Sequence, residues 1–158
     1  MAAILDWISR WCARGTIIAV LIAAISLVVV LLLSIFFRYI VGYALSFPEE
    51  LSMLLFVWLV LLAGSLGVRE GFHVRLTIVA NKLPSIIQKL LTLLITIGIM
   101  LFGGVLLYSG QSLVVRTVGN LSATIGYPIE ILYYPAPVCG ALIILHSLSN
   151  LFNHKKED

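Results

Sequence analysis

Four long apolar runs make up most of the chain, and charged or turn-forming residues bound each of them. Residues 51–68 contain no charged side chain and lie between the carboxylates of Glu49 and Glu50 and the guanidinium of Arg69. A helical run of about 20 apolar residues spans the ~30 Å hydrocarbon core of a bilayer. The pattern predicts an all-α integral membrane protein with a single membrane domain over residues 1–158. Four transmembrane helices are predicted at residues 16–37, 49–68, 84–115 and 129–152.

The first 15 residues have a different, amphipathic pattern. At 100° per residue, Trp7 and Trp11 fall on one side of a helix, and Arg10 and Arg14 fall on the other. Such a helix, with tryptophan on its apolar side, is suited to the headgroup plane. Residues 1–15 are therefore predicted to form an interfacial helix. The alternative, a signal peptide, is disfavoured because the following apolar run is too long for a cleavable signal core.

Composition supports a membrane protein with little mass in water. Of the 158 residues, 61% are hydrophobic and 11% are charged, against about 25% charged in a soluble domain. The net charge of +3 comes without any basic patch interleaved with aromatic residues, so nucleic acid is not an expected partner. The two cysteines, Cys12 and Cys139, are expected to act as small hydrophobic residues rather than as a disulfide.

The distribution of lysine and arginine predicts the orientation. Four spans place eight of these bases on one side of the membrane and two, Arg38 and Arg116, on the other. Because basic residues concentrate on the cytoplasmic side, both termini are predicted to be cytoplasmic. The eight bases are Arg10, Arg14, Arg69, Arg75, Lys82, Lys89, Lys155 and Lys156.

No motif indicates catalysis, a cofactor or a metal site. The sequence has no pair of histidines at ligand spacing and no glycine-rich phosphate loop, and His146 is expected to be a packed residue. An enzyme would have to use groups such as Glu49 and His73, which lie at opposite ends of the second span, roughly 25 to 35 Å apart. We therefore expect a protein that is not an enzyme and has no cofactor.

A self-sufficient small transporter is the other class to consider. Proton-coupled transport requires an ionisable residue inside the membrane, whereas the central parts of all four predicted spans lack Asp, Glu, Lys and Arg. This pattern favours a subunit that supports another membrane protein.

The two glutamates at the start of the second span, Glu49 and Glu50, can be interpreted in two ways. Ser46 and Glu49 have capping-box spacing, and Pro48 suits a first helical turn, so the carboxylates would serve a helix N-terminus. Alternatively, Glu49 and Glu50 form an ion pair, either with Arg38 across the turn or with a basic residue of a partner.

The order of several short motifs resembles a known family. These are FFRYIVG at residues 36–42, PEEL at 48–51, FVWLVLLAGSLGVREGFHVRL at 56–76 and LP at 83–84. Together with the four-span layout, they resemble the small membrane subunit, of DctQ type, of tripartite ATP-independent periplasmic (TRAP) transporters, which are found in the bacterial inner membrane.

The resemblance implies partners and a supporting role. The partners would be a large, sodium-coupled membrane subunit and a periplasmic binding protein that delivers an organic anion such as sialic acid or a C4-dicarboxylate. Membrane lipids are the alternative contact for the inner bases. Expected interface or ion-pair residues are Arg38, Glu49 and Glu50 at the outer edge, and Arg69, His73 and Arg75 at the inner edge. Expected helix-packing residues are Ala63, Gly64, Gly67, Ala136 and Gly140.

Overall fold

The fold is a bundle of four long helices. The computed structural model describes residues 2–43, 45–70 and 85–154. The described helices are α1 (Ala2–Phe36), α2 (Phe47–Arg69), α3 (Ser85–Thr117), α4 (Glu130–Tyr133) and α5 (Pro135–His154), and a π-helical turn, Phe37–Val41, extends α1. Among these residues, four helical segments are long and apolar enough to cross a membrane, which confirms the predicted all-α class and four spans for the described part of the chain.

The first helix runs without a break from Ala2 to Phe36. Its 35 residues correspond to about 52 Å, well beyond the hydrocarbon thickness of a bilayer. No structural boundary at Gly15 separates an interfacial segment from the first span, so the headgroup location of residues 1–15 stays a prediction. The π-helical turn ends at Gly42, whose φ of 75° is left-handed and suits glycine.

The ends of the other spans differ from their predicted positions by a few residues. Helix α2 has a proline in its first turn, as predicted, but the capping box does not form. Ser46 has a helical backbone (φ −85°, ψ −29°) and makes no side-chain capping bond, because a capping side chain needs an extended backbone. The fourth span, predicted as one helix, is divided into α4 and α5. Pro135 begins α5, where its missing N–H does no harm.

The last helix, α5, forms the centre of the bundle. It packs against α1, α2 and α3, whereas α3 packs mainly on α5. Within an apolar 18-residue stretch of the span that contains α5, 44% of residues are buried, against 11–17% in the corresponding stretches of the other three spans. A small core joins Val68 of α2 to Cys139 and Ile143 of α5, with Ile99 and Leu106 of α3 packed beside it. The most buried helix therefore holds the other three together.

Helices α3 and α5 approach closely because glycines face each other. A side-chain carbon built on Gly140 would lie 2.6 Å from the Gly103 carbonyl oxygen and 2.6 Å from the Leu107 nitrogen. One built on Gly110 would lie 2.5 Å from Pro137. Only glycine fits at these positions, since the obstructing atoms belong to backbone or to a proline ring.

Candidate interaction surfaces at the membrane edges

The edge that is predicted to face the periplasm, called the outer edge, is organised by a compact loop between α3 and α4. Its two arms pair at Leu121 and Pro128, and the Ile129 amide donates to the Asn120 carbonyl oxygen at 3.0 Å. The Gly126 amide donates to the Ser122 hydroxyl at 3.0 Å. Backbone bonds therefore give this loop a defined shape without a long strand.

Glu50 holds the tip of this loop to α2. Its carboxylate accepts hydrogen bonds from the amides of Thr124 at 2.9 Å and Ile125 at 3.1 Å. Burial and the nearby Glu50 carboxylate raise the pKa of Tyr127 in the same loop. The acid at the start of α2 thus serves as an anchor for a segment more than 70 residues away.

Two further bonds attach the loop and α4 to their surroundings. The Glu130 carboxylate accepts from the Gly119 amide at 3.0 Å, just after the end of α3. The Trp58 indole nitrogen of α2 donates to the Ile131 carbonyl oxygen at 3.0 Å. The outer edge is therefore preformed by contacts within the chain.

The predicted ion pair at this edge is absent from the part of the chain that the structure describes. Arg38 is exposed on the π-helical turn and makes no ion pair with either glutamate, while Glu49 is exposed to solvent. Glu50 uses backbone amides instead. The described subunit therefore shows Glu50 bonded to backbone amides and not to Arg38. Ion pairing of Arg38 and Glu49, including pairing with a partner, stays a prediction.

At the inner edge, the first and last long helices are joined by a buried hydrogen bond. Ser9 Oγ and His146 Nδ1 lie 2.8 Å apart, and both residues are buried. The other ring nitrogen, His146 Nε2, and the nearby hydroxyl of Ser147 have no partner among the described residues. His146 was expected to be a packed residue, and the structure confirms this.

The inner end of α2 is capped by α5. Asn150 Nδ2 donates to the carbonyl oxygens of Val68 at 3.1 Å and Arg69 at 3.4 Å. These carbonyls would otherwise lack partners at a helix C-terminus. Arg69 itself is half-buried here. Two other predicted inner-edge residues, His73 and Arg75, lie outside the described residues.

The predicted helix-packing residues divide into two groups. Gly140 is buried against α3, and Ala136 lies beside Gly110. By contrast, a side-chain carbon built on Gly64 or Gly67 of α2 meets no described neighbour within 4 Å, so these two glycines make no close helix contact inside the described subunit. Ala63 is half-buried.

Sequence reasoning missed several of these contacts. Thr124, Ile125, Ser9 and Asn150 were not predicted to take part, because spacing along the chain does not reveal pairs 70 to 140 residues apart. Gly110 had a usable signal, since it belongs to the same helix as Gly103 and precedes a proline-rich helix that would have to pack on it. Within the described ranges, no group of three or more His, Cys, Asp or Glu residues could hold a metal ion.

This arrangement defines a multi-pass membrane protein in which hydrogen bonds within the chain hold the helix ends and the loop in place. Residues 27–156 match the family described as tripartite ATP-independent periplasmic transporters, DctQ component. The chain therefore belongs to the DctQ family of TRAP transporter small subunits, and it is a multi-pass protein of the bacterial inner membrane.

Individual relatives agree with the family. A small permease protein assigned to TRAP transporters in Haemophilus influenzae is 30% identical, over 78% of this chain and 80% of its own length. The sialic acid TRAP transporter small permease protein SiaQ of Vibrio cholerae is 27% identical, over 75% and 69%. The C4-dicarboxylate TRAP transporter small permease protein DctQ of Rhodobacter capsulatus is 26% identical, over 70% and 50%.

Proposed function

We propose that this chain is a non-catalytic scaffold subunit. It supports a large, sodium-coupled membrane subunit during uptake of an organic anion that a periplasmic binding protein delivers. The proposal is carried by the positions of the charged residues along the four spans. In the described parts of the four spans, Asp, Glu, Lys and Arg occur only near the ends. His146, a few residues from the end of its span, is buried and bonded to Ser9.

Solute and ion transport requires groups that the moving species can reach. His146 is 0% exposed, so no ion or solute can contact it without rearrangement of the packing between α1 and α5. Transporters place ionisable residues along accessible pathways. The alternative of a self-sufficient four-helix transporter therefore gains no support from the described groups.

The substrate class is proposed from two relatives. One is named for sialic acid and another for C4-dicarboxylates, and both substrates are carboxylate anions. Identity to these two relatives is nearly equal, at 27% and 26%. An organic anion is the class that covers both.

Each edge is assigned a role in assembly. The preformed outer loop, with the exposed side chains of Arg38 and Glu49 beside it, faces the periplasm and the binding protein. At the inner edge, Arg69, His73 and Arg75 contact the large subunit or anionic headgroups. Both termini are in the cytoplasm.

The test is uptake in cells that lack the native small subunit but keep the large subunit and the binding protein. The wild-type chain should restore sodium-dependent accumulation of radiolabelled anion. Charge reversal of Arg38 and Glu49 together should lower uptake or recovery of the complex, with Ser26→Ala as a control inside α1. Normal uptake without any small subunit would refute the scaffold role.

A further inference from the structure

We propose that α3 carries the docking surface for the large membrane subunit, with Tyr108 and Gln111 hydrogen-bonding to a transmembrane helix of that subunit. This rests on the proposed function and adds to it the face that meets the partner. The side chain of Tyr108 is 81% exposed, and Leu101 and Val105, which share its face, are 67% and 61% exposed. Gln111 is exposed next to them.

The exposed face has the shape of a shallow groove. An open cavity of about 590 Å³ follows α3 past Gly104 and is bounded on one side by Ile144 of α5. A side-chain carbon built on Gly104 meets nothing within 4 Å among the described residues. A partner helix can thus approach the α3 backbone at Gly104, with the Tyr108 ring alongside.

Contacts within the bundle place Tyr108 near the middle of the bilayer. The thiol of Cys139 donates to the carbonyl oxygen of Leu61, which lies in the central part of α2. Gly140, the next residue of α5, faces Leu107 of α3. Tyr108 therefore lies at the level of the centre of α2, about 13 Å from the outer end of α3 at 1.5 Å per residue.

Neither polar group on this face has a hydrogen-bond partner among the described residues. Lipid acyl chains cannot supply one, and a phenol or amide without a partner in hydrocarbon is unfavourable. The occupant must therefore be a protein that offers hydrogen-bonding groups within the membrane, rather than lipid.

The exposed face of α1 provides the contrast. Between Ile17 and Phe36, every exposed side chain is aliphatic or aromatic without a polar atom. Lipid acyl chains can cover such a surface without leaving a polar group unpaired. Polar groups exposed at mid-membrane depth thus distinguish α3 from a helix that faces lipid.

The choice of the large subunit over a second copy follows from family membership. The relatives are small permease proteins of TRAP transporters, and a small permease implies a larger membrane partner in the same system. Among the described helices, α3 packs mainly on α5, which leaves much of its surface uncovered by described residues.

Photocrosslinking in the intact complex tests both the face and the occupant. A photoreactive phenylalanine analogue is placed at Tyr108 in one sample and at Ile22 of α1 in another, and the complex is irradiated in native membranes with the large subunit present. The proposal expects a covalent product with the large subunit from Tyr108 and none from Ile22. A product with a second copy of this chain, or none while the large subunit co-purifies, would overturn it.

Matched variants give a second, independent readout. Gly104→Leu adds bulk to the groove at a position where a side-chain carbon meets no described neighbour within 4 Å, and Ala19→Leu makes a similar increase on the exposed face of α1. Gly104→Leu should abolish most co-purification of the large subunit, and Tyr108→Phe should reduce it, while Ala19→Leu leaves it unchanged. Retention by Gly104→Leu at wild-type level would contradict the proposal. If even the wild-type chain fails to co-purify the large subunit, the proposed function itself fails, and this proposal fails with it.

Discussion

Ser9 near the start of the chain and His146 near its end are joined by a 2.8 Å hydrogen bond between Oγ and Nδ1, with both side chains out of contact with solvent or lipid. The bond links α1 to the central helix α5 at the edge that is predicted to face the cytoplasm. Glu50 and the loop tip at Thr124 form the corresponding link at the outer edge. The bundle is thus fastened at both ends by polar contacts between distant parts of the chain.

Removal of the Ser9 hydroxyl should destabilise the protein. Ser9→Ala leaves Nδ1 of His146 without its partner, and an unpaired buried polar group costs about 1–3 kcal/mol. Thermal unfolding in detergent should show a lower midpoint for Ser9→Ala than for the control Ser26→Ala. Equal midpoints would indicate that the bond contributes nothing to stability.

Substitution of Glu50 should loosen the outer loop, whereas substitution of Glu49 should not. Glu50→Gln removes the charge and one acceptor oxygen from the amides of Thr124 and Ile125. Hydrogen exchange at these two amides should become faster in Glu50→Gln and stay unchanged in Glu49→Gln. Equal protection in both variants would show that the carboxylate does not hold the loop.

Gly140 of α5 and Gly104 of α3 should respond in opposite ways to substitution by alanine. Gly140→Ala forces a methyl group against the Gly103 and Leu107 backbone, and such overpacking costs about 1–3 kcal/mol. Gly104→Ala meets open space and should stabilise the helix by up to about 1 kcal/mol. Unfolding midpoints of the two variants in detergent measure the difference. A destabilised Gly104→Ala would contradict the packing described for α3.

The orientation can be tested with single cysteines in a background where Cys12 and Cys139 are replaced by serine. A membrane-impermeant maleimide added to intact spheroplasts should label Ala123→Cys in the outer loop and leave Lys156→Cys unlabelled. The expectation follows from the excess of lysine and arginine on the side of the termini. The reverse labelling pattern would place both termini in the periplasm.

The sequence predicted the spans and the family because both depend on local patterns. Apolar runs bounded by charge determine the helices, and the order of motifs between Arg38 and Pro84 identifies the family now confirmed. The partner of Glu50 could not be predicted, since Arg38 is near in sequence whereas Thr124 is brought close only by the fold. The central position of α5 was also not apparent, because a run of similar hydrophobicity can be surrounded by helices or by lipid.

Reconstitution tests the central claim, that this chain supports transport without performing it. Purified protein is placed alone in vesicles with an inward sodium gradient, and the uptake of radiolabelled sialic acid or C4-dicarboxylate is measured. The large subunit and the binding protein are then added. We predict no uptake above empty vesicles for the chain alone and sodium-dependent uptake once all three components are present. Accumulation of solute by the chain alone would contradict the account.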